Sequence, residues 1–357
     1  MNMKPLPPAP HAGVLPSGPR RSIADVAGVS VGHCTLDEGS IQTGVTVIQP
    51  HPADVYRRKV PAGATVINGF GKSVGLVQVD ELGLLETPVA LTNTFGVGAT
   101  VQAQIRSAIQ ANPEVGWNWP TVNPLVFECN DGYLNDIQAS AITAEHYEIA
   151  RRKATVDVQR GAVGAGRGMS CFDLKGGIGT ASRVVEVAGE RYTAGALTLA
   201  NFGRLPALTL GGVAVGHVLA KRAATAYATA MKPEQGSIIM IVATDAPLEA
   251  RQLKRLSMRA AAGLARTGSV YGHGSGDIAL AFTTAWTVAC DADFIRPPPI
   301  LADMKLDPLF QACADSVEQA IIDALWNAVS VTGRDGHRRL SLHDAAPDIA
   351  QLLDRTC

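Results

Sequence analysis

Gly236-Ser237 stands at the head of "SIIMIVA", a run of strand-forming residues, and Ser275 and Asp277 stand two apart at the head of a later apolar run, "IALAF". A serine hydroxyl beside the carbonyl of the preceding residue can attack that carbonyl and turn the peptide bond into an ester, which water then opens. The cut leaves Ser237 as a chain start whose α-amine, with an ordinary pKa of about 7.7–8.0, can take the proton of its own hydroxyl near neutral pH. Glycine at 236 suits the attack because it tolerates strained backbone and adds no side chain in the way. Ser275 and Asp277 emerge on one side of a strand, since strand periodicity is two, and a hydroxyl with a carboxylate can orient an amine. Plainer readings use the same residues. Gly236-Ser237 can be a turn before an edge strand, 274–277 can be a polar turn, and His273 permits a serine–histidine–aspartate set. Gly-Ser also occurs at Gly39-Ser40, Gly268-Ser269 and Gly274-Ser275, so the pair alone decides nothing.

The elements that must carry these residues follow from hydrophobic period and turn chemistry. Short β-branched runs at 43–50, 64–69 and 87–94 predict strands, and 124–136 predicts a strand running into an Asn-Asp-Gly turn. Helices are expected over 97–112, with Val101, Ile105 and Ile109 on the apolar face, and over 139–154. The glycine-dense stretch 160–182 predicts a loop that approaches something closely; its G-x-x-G-x-G order is not the dinucleotide fingerprint. A hairpin around Ala188-Gly189 is expected over 182–203, then a helical or mobile connector up to the Ser237 strand. Beyond it lie a helix over 247–267 with Leu253, Leu256, Ala260 and Leu264 on one face, a strand over 276–288, and a long helix over 307–332. That last helix suits either the core or a subunit interface. Strands and helices in mixed order favour layered α+β packing over a doubly wound sheet.

Composition narrows the function classes. The chain has 357 residues, 46% of them hydrophobic, with 31 basic and 32 acidic side chains and a formal charge of -1, so nothing in it draws nucleic acid or an anionic membrane. Six cysteines lie far apart with no C-x-x-C pair, and no H-E-x-x-H occurs, so neither a metal nor an organic cofactor is expected. Residues 1–21 form an expected proline-rich arm, with six prolines in the first nineteen positions, and 22–357 an expected single catalytic domain. The arm lacks the apolar centre of a secretory signal, and no apolar run reaches membrane-spanning length, so a cytoplasmic protein is expected.

Four separated stretches, "ECNDGYLND", "LANFGR", "GSIIMIVATDAPL" and "GSGDIALAF", resemble the DmpA-type self-processing aminopeptidases, the L-aminopeptidase/D-amidase-esterase group that includes the β-peptidyl aminopeptidases. The resemblance runs from about Ser22 to the strand near Val288. It implies a four-layer α/β/β/α sandwich like that of N-terminal-nucleophile hydrolases, autocleavage into 1–236 and 237–357, and a homo-oligomer, a tetramer of processed units. Carried over, Ser237 is the nucleophile, Gly236 the end of the larger fragment, and Ser275 with Asp277 the pair that positions the nucleophile and its amine. Some β-peptide-cleaving members carry glutamate where this chain has Asp277. Asn201 matches an oxyanion-stabilising asparagine, Tyr133 an active-site tyrosine, and Glu128 the acid that receives the substrate's ammonium. The expected activity is removal of an N-terminal residue from short peptides, amides or esters through an acyl-enzyme. The alternatives are an acyl transferase of the ornithine-acetyltransferase type, which self-processes at threonine, and a non-catalytic small-molecule-binding protein.

Overall fold

The apolar runs become two stacked β-sheets in the computed structural model, which describes residues 8–224 and 235–354. The smaller sheet orders its strands Ser30–Glu38, Ile41–Gln49, Val89–Asn93 and Val126–Cys129, with only the last pair parallel. The larger sheet runs Val288–Ala289, Arg58–Gly69, Gly274–Thr283, Gln235–Thr244, Glu190–Asn201 and Gly177–Val187, and the short Leu84–Leu85 strand joins it beside Arg58–Gly69. Gln235–Thr244 and Gly274–Thr283 are its one parallel pair. A parallel pair needs a crossover, and the helices Ala250–Met258 and Ala260–Arg266 supply it.

Side-chain alternation builds the layers. In the Ser237 strand, Ile239, Ile241 and Ala243 face the smaller sheet together with Leu197, Leu199, Ile278 and Leu280. Ile238, Met240 and Val242 point the other way, into a second apolar layer with Leu253, Leu256, Leu264, Val317 and Ile321 from the covering helices. Such a strand is buried on both faces, which is why it reads as an unbroken apolar run. A third layer, with Val45, Val47, Val126, Tyr147 and Ala150, lies between the smaller sheet and the helices Val97–Ala111 and Ala144–Arg152. The architecture is therefore the expected four-layer α/β/β/α sandwich. Each fully buried aliphatic side chain in these layers contributes about 1.5–3 kcal/mol, so the scaffold behind the Ser237 strand is rigid.

Several expectations are corrected. Ser30–Glu38 is a strand that the sequence reading passed over, because Gly32 and the polar Thr35, Asp37 and Glu38 interrupt its apolar pattern. The 97–112 helix buries Val97, Thr100, Ala103 and Gln104 most deeply; of the expected face, Val101 and Ile105 are partly buried against apolar clusters and Ile109 is exposed. The single helix expected over 247–267 is two helices meeting at Arg259, although Leu253, Leu256, Ala260 and Leu264 are all buried as expected. The 160–182 loop ends early, since Gly177–Val187 is a long strand. The strand expected over 276–288 stops at Thr283, and Val288–Ala289 pairs separately with Arg58–Gly69. The hairpin turns at Ala188-Gly189 as read, both with positive φ. The long C-terminal helix, Asp307–Trp326, is a core helix. Of the connector before Ser237, Gly216–Ala224 is helical and 225–234 lie outside the described residues. The described part of the arm lies on its own chain. Ala12 N–H donates to Gln319 Oε1 at 2.8 Å, Arg183 Nη2 to the Ala12 carbonyl at 2.6 Å, and Val184 N–H to the Pro16 carbonyl at 2.9 Å. Among the described residues no helix is long and apolar enough to cross a membrane.

Candidate active site

Ser237 is the second residue after Gln235 in a central strand, paired with Gly276 on its parallel side and Asn201 on its antiparallel side. Its hydroxyl donates to the carbonyl of Gly236 at 2.6 Å and accepts the Gly276 N–H at 3.2 Å. The hydroxyl therefore lies against the peptide group it would attack. Gly236 has φ +131°, and a Cβ there would stand 2.1 Å from the Asn201 carbonyl oxygen. Only glycine fits that place. Gly276 is glycine for a different reason: its Cβ would lie 3.0 Å from Ser237 Oγ and 2.8 Å from the Phe70 carbonyl oxygen. The space in front of the hydroxyl exists because that side chain is missing.

Ser275 donates its hydroxyl to Asp277 Oδ1 at 2.5 Å, and both side chains are fully buried. Period-two alternation thus brings the pair together as read. Both residues alternate with Gly276, however, so they face the opposite side of the sheet from the Ser237 hydroxyl, at the levels of Gly236 and Ile238. The Ser237 hydroxyl itself bonds the Gly236 carbonyl and the Gly276 N–H, not this pair. His273 is exposed and sets its ring 6.2 Å from that of Phe70, so the serine–histidine–aspartate alternative is not assembled.

Asn201 shares the Ser237 face. Its Oδ1 accepts the Ser170 N–H at 2.8 Å and its Nδ2 donates to the Asn130 carbonyl at 3.0 Å. A donor on one side and an acceptor on the other fix which way the amide points. Those two bonds use the amide oxygen and one of its two N–H groups. Glu128, 3% exposed, accepts the Lys72 N–H at 2.8 Å and the Thr94 hydroxyl. Its Oε1 and the Cα of Gly276 approach the same side of Gly71, at 3.7 and 3.8 Å from where a Cβ would be. The carboxylate therefore lies close to the Gly274–Thr283 strand, which pairs with the Ser237 strand. Tyr133, 39% exposed, stacks on His337 with centroids 4.7 Å apart, and the Arg339 guanidinium lies 3.7 Å from its ring centroid. It reaches Asn201 through Arg339 and Ser170 rather than by direct contact.

The four motifs of the sequence thus converge. "LANFGR" and "GSGDIALAF" flank "GSIIMIVATDAPL" on either side, and Asn130 of "ECNDGYLND" holds the Asn201 amide. Between Asn130 and Tyr133, burial pushes the Asp131 carboxyl up to about 6 against hydrogen bonds that favour its anion, including one from Asn135 at 3.1 Å. Sequence reasoning missed Gly276, Ser170, Thr94 and Arg339. Only Gly276 left a signal, the glycine inside "GSGD". Among the described residues, no three His, Cys, Asp or Glu side chains cluster to hold a metal ion.

The chain resembles known proteins over most of its length. The family model of peptidase family S58 matches residues 21–339. The chain is 39% identical over 346 residues to the beta-peptidyl aminopeptidase BapA of Sphingosinicella microcystinivorans, covering 90% of this chain and 85% of that protein. It superposes on the PH0078 protein from Pyrococcus horikoshii OT3 with TM-score 0.90 and 46% identity, over 96% of this chain and 97% of the other. The L-aminopeptidase D-Ala-esterase/amidase from Ochrobactrum anthropi, described as a variant of the Ntn hydrolase fold, matches with TM-score 0.88 and 34% identity over 98% of both chains.

Proposed function

This chain belongs to peptidase family S58, and from that premise we propose that it is a self-processing serine aminopeptidase. It releases N-terminal residues, β-amino acids among them, from short peptides, amides and esters. The names of its relatives supply the substrate class, and the 2.6 Å contact between the Ser237 hydroxyl and the Gly236 carbonyl carries the assignment of the nucleophile.

In self-cleavage, Ser237 Oγ adds to the Gly236 carbonyl carbon, the C–N bond breaks, and the hydroxyl proton ends on the freed α-nitrogen. Water then hydrolyses the ester, leaving a carboxylate on Gly236 and a free hydroxyl on Ser237. In turnover, the Ser237 α-amine takes the Oγ proton as the oxygen attacks the substrate carbonyl and hands it to the departing nitrogen. The unused N–H of Asn201 meets the developing oxyanion. Ser275 and Asp277, on the main-chain side of Ser237, orient the α-amine. Glu128 pairs with the substrate's ammonium, a charge-assisted bond that confines cleavage to the first residue of a chain. Ser237 is only 4% exposed with its peptide bond intact, which supports cutting before turnover.

On this reading the processed units assemble as a homo-oligomer, supported by large apolar side chains left exposed at Val77, Trp117 and Phe294. The five described cysteines form no disulfide and four are buried, which fits a reducing cytoplasm. The test is intact mass under denaturing conditions: the wild-type chain gives fragments 1–236 and 237–357, and Ser237→Ala stays whole and inactive. A fully active uncut wild-type chain overturns the mechanism.

A further inference from the structure

The glycine-dense stretch and a C-terminal hairpin, in which Val331–Thr332 pairs with Arg338–Arg339, have no part in the chemistry above, yet they meet at the site. Lys175 is fully buried, and its ammonium donates to the carbonyls of Gly166, Met169 and Gly176 at 2.9, 2.9 and 2.8 Å. Three carbonyls satisfy the three protons of an ammonium, so the 166–176 loop is wound round a fixed centre. Within that loop, Ser170 donates its N–H to Asn201 Oδ1. The main-chain N–H of Lys175 also donates to the Leu340 carbonyl at 2.8 Å, which fastens the loop to the strand carrying Arg339.

Arg339 then reaches in two directions. Its Nε donates to Ser170 Oγ at 3.1 Å, and its guanidinium plane covers the Tyr133 ring at 3.7 Å. The hairpin grips the Tyr133 loop at further points: Arg334 Nε donates to the Gly132 carbonyl at 2.7 Å, Arg334 N–H to the Leu134 carbonyl at 2.8 Å, and the His337 ring nitrogen Nδ1 bonds the Tyr133 carbonyl at 2.9 Å. The charges facing Arg339 from the loop beside it are Asp173 and Arg204, which pair with each other at 2.9 Å. Arg339 is thus left to Tyr133 and Ser170.

We propose that Arg339 is a positioning residue that couples the Tyr133 ring to the Asn201 amide, so that residues contributed by the segment after Ser237 set the geometry of two groups contributed by the segment before it. The inference rests on the aminopeptidase reading. A planar fork does this where an ammonium does not, because one face stacks on the ring while an edge N–H holds the serine. Arg339 bonds Ser170 and covers Tyr133, so its loss should leave binding at Glu128 intact and misplace the Asn201 amide that meets the oxyanion.

The experiment compares wild type with Arg339→Ala, Arg339→Lys and Arg339→Met, the last keeping apolar volume over the ring. Each is checked for self-cleavage by mass and for folding by thermal melting, then assayed on β-alanine p-nitroanilide. We expect kcat to fall about 10- to 100-fold in all three with KM within about 2-fold, as for a small misplacement of reacting groups. Guanidinium ion should restore part of kcat in Arg339→Ala and ammonium should not. Wild-type kcat in Arg339→Met, full activity in Arg339→Lys, or a rise in KM equal to the fall in kcat overturns the inference while leaving the aminopeptidase reading in place. A wild-type chain that neither cuts itself nor hydrolyses the anilide overturns both.

Discussion

Gly276 stands beside Ser237 in parallel register, and the side chain it lacks would begin 3.0 Å from the serine hydroxyl. The second contact, 2.8 Å from the Phe70 carbonyl oxygen, is to backbone, which does not swing aside. Gly276→Ala should therefore fold yet lose turnover by about 100-fold or more, because it pushes the Ser237 hydroxyl, the proposed nucleophile, off its line. Steady-state kinetics on the purified variant reads this, and near-normal kcat would show that the cleft has slack the distances do not suggest.

Gly236 makes a separate prediction about the cut itself. Alanine there meets both a φ of +131° and a carbonyl oxygen at 2.1 Å, so the strand head must shift, with a stability loss of about 1–3 kcal/mol. Gly236→Ala should remain largely as one chain in a time course followed by denaturing electrophoresis. Cleavage at the wild-type rate would mean the strained backbone plays no part in bringing hydroxyl and carbonyl together.

Glu128 should separate binding from processing. Glu128→Gln leaves Lys72 N–H and the Thr94 hydroxyl facing a neutral amide, and the ammonium loses its charged partner. KM should rise about 10- to 100-fold while the appearance of fragments 1–236 and 237–357 proceeds as in wild type. N-acetylation of the substrate should mimic the loss in the wild-type enzyme. If the variant processes but keeps its KM, the ammonium is received elsewhere.

Two buried carboxyls give a pH signature. Burial raises Asp131 and Asp323 from 3.8 to about 6, despite the stabilising contacts each anion receives. The folded chain then holds more protons than the unfolded one between about pH 4 and 6, so each group lowers stability as pH rises through that window, by up to about 3 kcal/mol. Above it the loss is complete and level. Asp131→Asn and Asp323→Asn should each flatten the fall in urea midpoint across the window, and an unchanged slope in both would place the titration on other groups.

What was legible follows a physical divide. Ser237, Ser275 and Asp277 could be read because a strand imposes its own period, so neighbours along the chain determine which side chains share a face. The same period, applied across the parallel register, is what places the pair opposite the hydroxyl, and register depends on partners that a single stretch does not reveal. Asn201 and Glu128 came through resemblance, since the bonds that define them run to Ser170, Asn130 and Lys72 in distant segments. Arg339 and Lys175 were invisible for that reason: a lysine whose protons all go to main-chain carbonyls carries no pattern in the letters around it. Ser30–Glu38 escaped because its polar residues look like a turn until Ile41–Gln49 is laid against it.

The larger sheet interleaves the two sides of the Gly236–Ser237 bond. Gly274–Thr283 and the strand from Ser237 onward are flanked by Arg58–Gly69 on one edge and Glu190–Asn201 on the other. Scission at that bond, if the proposed cut takes place, would yield no leaving piece. Each product would be wedged into the other's ladder, and parting them would mean unzipping three rows of main-chain pairing and laying open the apolar layers on both faces. Such a nick would be permanent without any crosslink, and the pair would melt as one body.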